Sequence, residues 1–186
     1  MDVEAIRRFT ILASAVDHSW RAMEKSLESK WVLPALTLTY CFIDNMAYLA
    51  ADETEIRVRP RFERWVAEWM LSRGRLSCEA SDLYGARCAV VHTWSAESSV
   101  SEKGEAKHIL YYYGNADSAP LHDRASRHPG QYVVVHLDTL IAETKEAGAL
   151  AARKDDAPAA HHADLTKIAG WGSCSEGGGL IHTTSG

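Results

Sequence analysis

The chain has 186 residues, of which 46% are hydrophobic and 24% are charged, and its formal net charge is −5. This composition is typical of a globular protein with a sizeable core. The negative charge argues against a broad electrostatic surface for nucleic acid, so any RNA contact has to be local. The basic stretch that contains Arg57, Arg59, Arg61 and Arg64 is more typical of a solvated helix face.

The cysteines point to a reducing compartment. Cys41, Cys78, Cys88 and Cys174 lie far apart and form no C-x-x-C motif. Cys41 and Cys88 stand in apolar runs, where a free cysteine behaves as a small hydrophobic residue. We therefore expect a reduced, cytoplasmic protein. The start of the chain carries acidic residues and no long apolar core, so it does not predict a signal peptide.

Hydrophobic periodicity predicts four helices in the first part of the chain. Their expected bounds are residues 3–27, about 34–51, 60–74, and about 81–94 with Ser77 or Ser81 as the N-cap. The segment 31–51 has the length of a membrane span, but it contains Asp44, which costs about 2.5–3.5 kcal/mol near a bilayer centre. We therefore predict that this helix is buried in protein and that the chain does not contact a membrane.

The character of the sequence changes after residue 100. The segments 108–113 and 131–136 are rich in β-branched and aromatic residues, which favour strands. Turn-forming residues between them, including Pro120 and Pro129, predict an antiparallel hairpin at about 106–136. Asp138 is expected to cap a fifth helix over about 139–154, and the composition of residues 155–186 predicts a disordered tail. The expected fold is mainly α: one domain over 1–154, a four- to five-helix bundle with a small appended β-hairpin.

Arg87 and His92 stand out because the segment 83–94 around them is almost entirely apolar. On a helical wheel Arg87 falls within the apolar arc, and His92 lies roughly 140° further round. Burying an unpaired guanidinium costs several kcal/mol, so Arg87 needs a carboxylate, a phosphate or access to water. Asp44 is the best internal candidate. A purely structural Arg87–Asp44 pair and a histidine hydrogen-bonded in the core both remain open at this point.

Cys88 and His92 lie one helical turn apart and were considered as half of a metal site. No second pair of suitable spacing accompanies them, so we expect no metal and no cofactor. A nucleophilic Cys88–His92 dyad is also disfavoured, because apolar surroundings disfavour the thiolate.

The R-x-x-x-x-H spacing of Arg87 and His92, late in a buried helix after three others, resembles the signature of the HEPN superfamily (higher eukaryotes and prokaryotes nucleotide-binding domains). The segments CFIDNMAYL and RFERWVAEWM also look like the helices that precede this motif in uncharacterised bacterial members. The resemblance covers roughly residues 1–100 and implies an α-helical bundle. Many members are metal-independent ribonucleases that act as dimers. The resemblance thus implies a toxin- or defence-type endoribonuclease with RNA as substrate, a homodimer, and a cognate antitoxin or partner protein.

The resemblance also implies roles for individual residues. His92 would move a proton at the ribose 2′-hydroxyl or the leaving 5′-oxygen, and Arg87 would bind the scissile phosphate. Asp44, Cys88 and Tyr84 would support this pair. Cys88 departs from the polar residue that usually follows the arginine in active members, which leaves open a catalytically inactive binding or dimerisation module. The separation of Arg87 and His92 around the helix favours a site shared with a second subunit.

Overall fold

The computed structural model of the chain describes residues 3–52, 54–94 and 98–154, and it shows a mainly helical protein with a small sheet. In chain order the helices are α1 (Val3–Glu28), α2 (Val32–Leu49), α3 (Val58–Trp65), α4 (Ala80–Thr93), α5 (Ser99–Glu102), α6 (Ala119–Arg127) and α7 (Leu137–Lys154). The strands are β1 (His108–Tyr112) and β2 (Tyr132–His136). The predicted mainly α fold is confirmed, whereas the predicted tail, residues 155–186, lies outside the described residues.

The core lies where the first four helices meet α7. Helix α1 packs on α2, and α2 also contacts α3, α4 and α7. The side chains at this junction are fully buried, among them Met23, Tyr40, Ile43, Phe62 and Leu83. Periodicity predicted these helices well because each has to cover its apolar face with its neighbours.

Helix α2 is, among the described residues, the one helix that is long and apolar enough to cross a membrane by length and composition. In this structure 44% of its 18-residue window is buried, and it contacts four other helices. The core helix of a soluble protein has these same properties. The chain is therefore compatible with a soluble protein, and α2 is buried in protein as the sequence predicted.

Helix α4 begins with a capping box. Glu79 is the N-cap residue, and its backbone N–H donates to the Asp82 carboxylate at 2.9 Å. Asp82 also accepts the backbone N–H of Lys107 at 2.7 Å, which ties α4 to the segment before β1. The prediction of Ser77 or Ser81 as the cap was wrong, because a glutamate with an aspartate three residues later completes the same reciprocal bonding.

The two strands pair in parallel, so the predicted antiparallel hairpin was wrong. His108 is in register with Tyr132, and Tyr112 with His136. The chain returns between the strands through α6, where the sequence predicted only a loop. Pro120 lies in the first turn of α6, a position that tolerates proline because its missing N–H has no partner there anyway. Parallel strands need such a crossover, so the strand direction follows from the helix.

Two helices also begin at positions that the sequence did not predict. Helix α5 forms where the sequence predicted a loop, with Ser98 as its N-cap. Helix α7 starts at Leu137, directly after β2, so Asp138 lies in its first turn and is not the cap. The Asp138 carboxylate instead accepts the backbone N–H of Gly114 at 2.9 Å, which fixes the turn after β1 against the start of α7.

Glu143 anchors α7 to the end of the third helical run. That run continues beyond α3 through a π-helical segment (Val66–Met70) and a 3-10 turn, and Gly74 ends it with φ +68°. Glu143 is fully buried and accepts hydrogen bonds from Arg73 Nε at 2.9 Å and from Arg75 at 3.0 Å. A buried carboxylate is stable only with such partners, so these contacts fix α7 in place.

Replacing Glu143 should therefore destabilise the protein. We expect Glu143→Gln to lower the free energy of unfolding by about 3 kcal/mol, because it leaves two arginines facing an uncharged buried amide. Glu146→Gln is the matched control: Glu146 contacts the same two arginines but is half-exposed, and its loss should cost about 0.5 kcal/mol or less. Urea unfolding measures both, and equal losses would contradict this role of Glu143.

Candidate functional site

Arg87 on α4 pairs with Asp44 on α2, the partner that the sequence favoured. The Nε of Arg87 lies 2.7 Å from Asp44 Oδ2, and Nη2 of the same guanidinium contacts the same oxygen. The two side chains are 14% and 20% exposed, so solvent screens the pair only partly. Arg87 lies on the apolar side of α4 that faces α2, and the negative charge of Asp44 balances its positive charge.

The charge of Arg87 is permanent. Burial lowers the pKa of Arg87, but the hydrogen bond and charge of Asp44 outweigh it, and Cys88 contributes in the same direction. The net effect raises the pKa of a group that is already protonated throughout the physiological range. The site therefore holds a fixed cation whose orientation is set by Asp44.

His92 meets the same guanidinium on its other side. Arg87 Nη1 lies 3.0 Å from His92 Nε2, and His92 is exposed. A guanidinium has only N–H donors, so Nε2 is the acceptor and the neutral ring carries its proton on Nδ1. The arrangement therefore presents a basic nitrogen at the surface next to a fixed positive charge.

The separation of Arg87 and His92 around the helix does not keep their side chains apart. The wheel gives the direction of each Cβ, but the arginine stem is long enough to bring its head group to the edge of the apolar arc. The two side chains consequently meet within one chain. A site shared with a second subunit loses this support from the sequence and stays a prediction.

Among the described residues, only one carboxylate oxygen of Asp44 accepts hydrogen bonds. Oδ2 accepts from Arg87, whereas Oδ1 is buried and has no hydrogen-bond partner among the described residues. Cys41 lies three residues before Asp44 on α2, and burial raises the pKa of its thiol, with a further contribution from the Asp44 charge. The thiol beside the carboxylate thus stays protonated near neutral pH.

Tyr84 and Cys88 lie beside the Arg87–His92 pair. Burial raises the pKa of Tyr84, and a hydrogen bond to the neighbouring Cys88 thiol adds to it. The Tyr84 ring meets Phe62 edge-on at 5.5 Å, and the Arg59 guanidinium lies 5.6 Å from its centroid. Tyr84 therefore acts on the pair mainly through the packing of α3 against α4, whereas Cys88 interacts with Arg87 directly.

Tyr48 and Arg61 belong to the same neighbourhood, although the sequence did not point to them together. Tyr48 lies one turn after Asp44 on α2 and is 40% exposed. The Arg61 guanidinium lies 5.0 Å from the centroid of its ring. The only signal in the sequence was the basic stretch around Arg61, which we had interpreted as a solvated face.

Within the part of the chain that the structure describes, no group of three or more histidine, cysteine, aspartate and glutamate side chains is placed to hold a metal ion. What the site offers is a cation, a neutral imidazole and a carboxylate, which suit phosphate binding and proton transfer.

Comparison of the chain with protein-family models, curated proteins and solved structures gave no match. The resemblance to the HEPN superfamily therefore stays a prediction from the sequence.

A double-mutant cycle should show that Arg87 and Asp44 are coupled. We expect Arg87→Ala and Asp44→Ala each to lower the free energy of unfolding by about 2 kcal/mol, because each leaves a partly buried charge without its partner. The double mutant should cost about 1–2 kcal/mol less than the sum, since it removes both charges. Urea unfolding of the four proteins gives the coupling, and strict additivity would refute it.

Proposed function

We propose that this chain is a HEPN-like ribonuclease that cleaves RNA without a metal ion and uses Arg87 and His92 as its catalytic pair. The observation that carries the proposal is the 3.0 Å contact between Arg87 Nη1 and His92 Nε2 at the surface of one chain. The contact supports the proposal because a cation that binds phosphate and a group that accepts a proton have to act together on one phosphodiester. The position of the pair late in α4, after three helices, is also that of the motif it resembles.

The proton transfer starts from the neutral imidazole. His92 Nε2 accepts the proton of the ribose 2′-hydroxyl, the 2′-oxygen forms a bond to phosphorus, and the bond from phosphorus to the 5′-oxygen breaks. The products are a 2′,3′-cyclic phosphate and a 5′-hydroxyl, whose proton comes from a general acid. One chain brings one histidine to this pair, so we propose a homodimer in which the second copy provides the acid.

Arg87 binds the phosphate through the nitrogen that now contacts His92. Asp44 holds Nε and Nη2, which leaves Nη1 toward the exposed side. A phosphate oxygen that accepts from Nη1 replaces His92 there and frees Nε2 for the 2′-hydroxyl. Because Asp44 has already oriented the guanidinium, the growing negative charge is stabilised with little reorganisation.

A second candidate function is a catalytically inactive helical module. The observation that favours it is that Asp44 occupies the Nε–Nη2 edge of Arg87, so this edge is not free for a bidentate contact with a phosphate. Cys88 in place of a polar residue points the same way. In this case the Arg87–Asp44 pair is architectural, and the surface binds a partner protein or a nucleotide.

The cellular setting belongs to the same proposal. The described cysteines, Cys41, Cys78 and Cys88, are free thiols, and burial raises the pKa of Cys78 to about 12. Unreactive reduced thiols suit a reducing compartment, so we propose a cytoplasmic protein that does not contact membranes. As a toxin- or defence-type nuclease it would be held in check by a cognate antitoxin or partner protein.

The decisive test compares two exposed histidines. We expect His92→Ala to lower the rate of RNA cleavage about a hundredfold or more, because it removes the proton acceptor. The free energy of unfolding should change by about 0.5 kcal/mol or less, since the side chain is exposed. His122→Ala changes an exposed histidine on α6 and should retain full activity.

The assay uses purified protein with excess EDTA and identifies the product ends. Cleavage that persists in EDTA and leaves 2′,3′-cyclic phosphate supports the proposal. Cleavage at an unchanged rate in His92→Ala would contradict the role of His92. Absence of cleavage in the wild-type protein, together with a strongly destabilised Arg87→Ala, would favour the inactive module.

A further inference from the structure

We propose that Tyr48 and Arg61 form a nucleobase-stacking subsite beside Arg87, which binds one base of single-stranded RNA while Arg87 holds the adjoining phosphate. The choice of RNA rests on the proposed function. The binding of a base at this place does not require that cleavage occurs, so the two proposals can fail separately.

The geometry of the pair is that of a preformed stacking platform. The Arg61 guanidinium lies over the Tyr48 ring at 5.0 Å from its centroid, and the ring is 40% exposed. A cation above one face fixes the orientation of an aromatic ring, and the exposed part of the Tyr48 ring borders solvent, where a planar ligand can approach it. Bases stack on such rings and on arginine planes with little dependence on sequence.

The charge of Arg61 lies over an aromatic ring. Over residues 3–52, 54–94 and 98–154, no carboxylate lies within ion-pairing distance of Arg61, and its Nε is buried without a hydrogen-bond partner. Its neighbours differ: Arg59 is paired with Glu63 and Glu105, and Arg64 lies 3.9 Å from Glu55. A guanidinium with an unused donor and an unpaired charge favours an electron-rich ligand, such as a base or phosphate.

The platform lies next to the phosphate-binding arginine. Tyr48 is four residues after Asp44 on α2, so the two side chains share a face and are about 6 Å apart along the helix axis. Asp44 holds Arg87 directly. A nucleotide whose phosphate contacts Arg87 therefore has its base within reach of Tyr48.

A stacking subsite favours single-stranded RNA over a duplex. Bases in a duplex are stacked inside the helix and present only their edges, so they cannot lie on a tyrosine ring. The net charge of −5 also argues against the broad basic surface with which many proteins follow a nucleic-acid backbone. Affinity must then come from a few local contacts, and stacking supplies a large part of it.

The test measures binding separately from cleavage. The probe is a short, uniformly 2′-O-methylated single-stranded RNA, which cannot form a cyclic phosphate, and fluorescence anisotropy gives its dissociation constant. We expect Tyr48→Ala and Arg61→Gln to weaken binding about tenfold or more, and Tyr48→Phe to bind like wild type. Thermal unfolding verifies that each variant is folded.

The chain provides a matched control for the arginine. Arg124, on α6, lies 4.7 Å from the centroid of the Tyr132 ring, and Arg124→Gln removes the same charge from a similar stack. We expect Arg124→Gln to leave binding unchanged. Equal weakening by Arg61→Gln and Arg124→Gln would overturn the subsite, because the effect would then follow net charge alone.

A second probe shows whether a base is what Tyr48 binds. The same oligomer with one abasic nucleotide, moved along the sequence, should bind wild type less tightly at one position, and Tyr48→Ala should not distinguish it from the intact oligomer. Base-dependent binding without any cleavage would refute the nuclease and keep the subsite. Cleavage with the same dissociation constant in wild type and Tyr48→Ala would refute the subsite alone.

Discussion

The contact on which the site depends is the ion pair between Arg87 and Asp44. A guanidinium in the apolar arc of a packed helix has to be compensated, and α2 brings the one carboxylate that can do it. Because Asp44 occupies Nε and Nη2, the remaining nitrogen is directed to His92. One constraint of burial therefore joins two helices and at the same time fixes what the arginine can offer to a ligand.

Three arginines near this site illustrate how differently the same charge can be used. Arg87 is held by a carboxylate and exposes one nitrogen, and Arg59 is held by carboxylates on α3 and beyond. Arg61 has an aromatic ring in place of a carboxylate. An arginine that is paired with a carboxylate, such as Arg87, mainly orients the groups around it. An arginine stacked on an aromatic ring, such as Arg61, keeps most of its attraction for a negatively charged or electron-rich ligand. The two groups that hold Arg87 and Arg61, Asp44 and Tyr48, lie about one helical turn apart on α2.

The sequence predicted the features that depend on the burial of apolar residues. It did not predict those that depend on how the elements and side chains are placed in space. Periodicity predicted the first four helices and α7, and Asp44 was favoured as the partner because it is the only charge in an apolar helix. Strand composition predicted β1 and β2 but carries no information on their direction, which α6 determines. The contact between Arg87 and His92 depends on the reach of a long side chain, and the stack of Arg61 on Tyr48 depends on how α2 and α3 pack. Neither can be read from spacing alone.

The contacts that anchor α4 explain why the His92 side chain, in its last turn, can move. The capping box and the Lys107 N–H fix its first turn, and the Arg87–Asp44 pair fixes its middle. At its end, by contrast, two side chains face solvent: His92 is exposed, and Trp94, in the left-handed region at φ 51°, is 73% exposed. An exposed side chain changes its rotamer at a low cost in free energy. His92 can thus leave Nη1 for a substrate while the guanidinium stays in place.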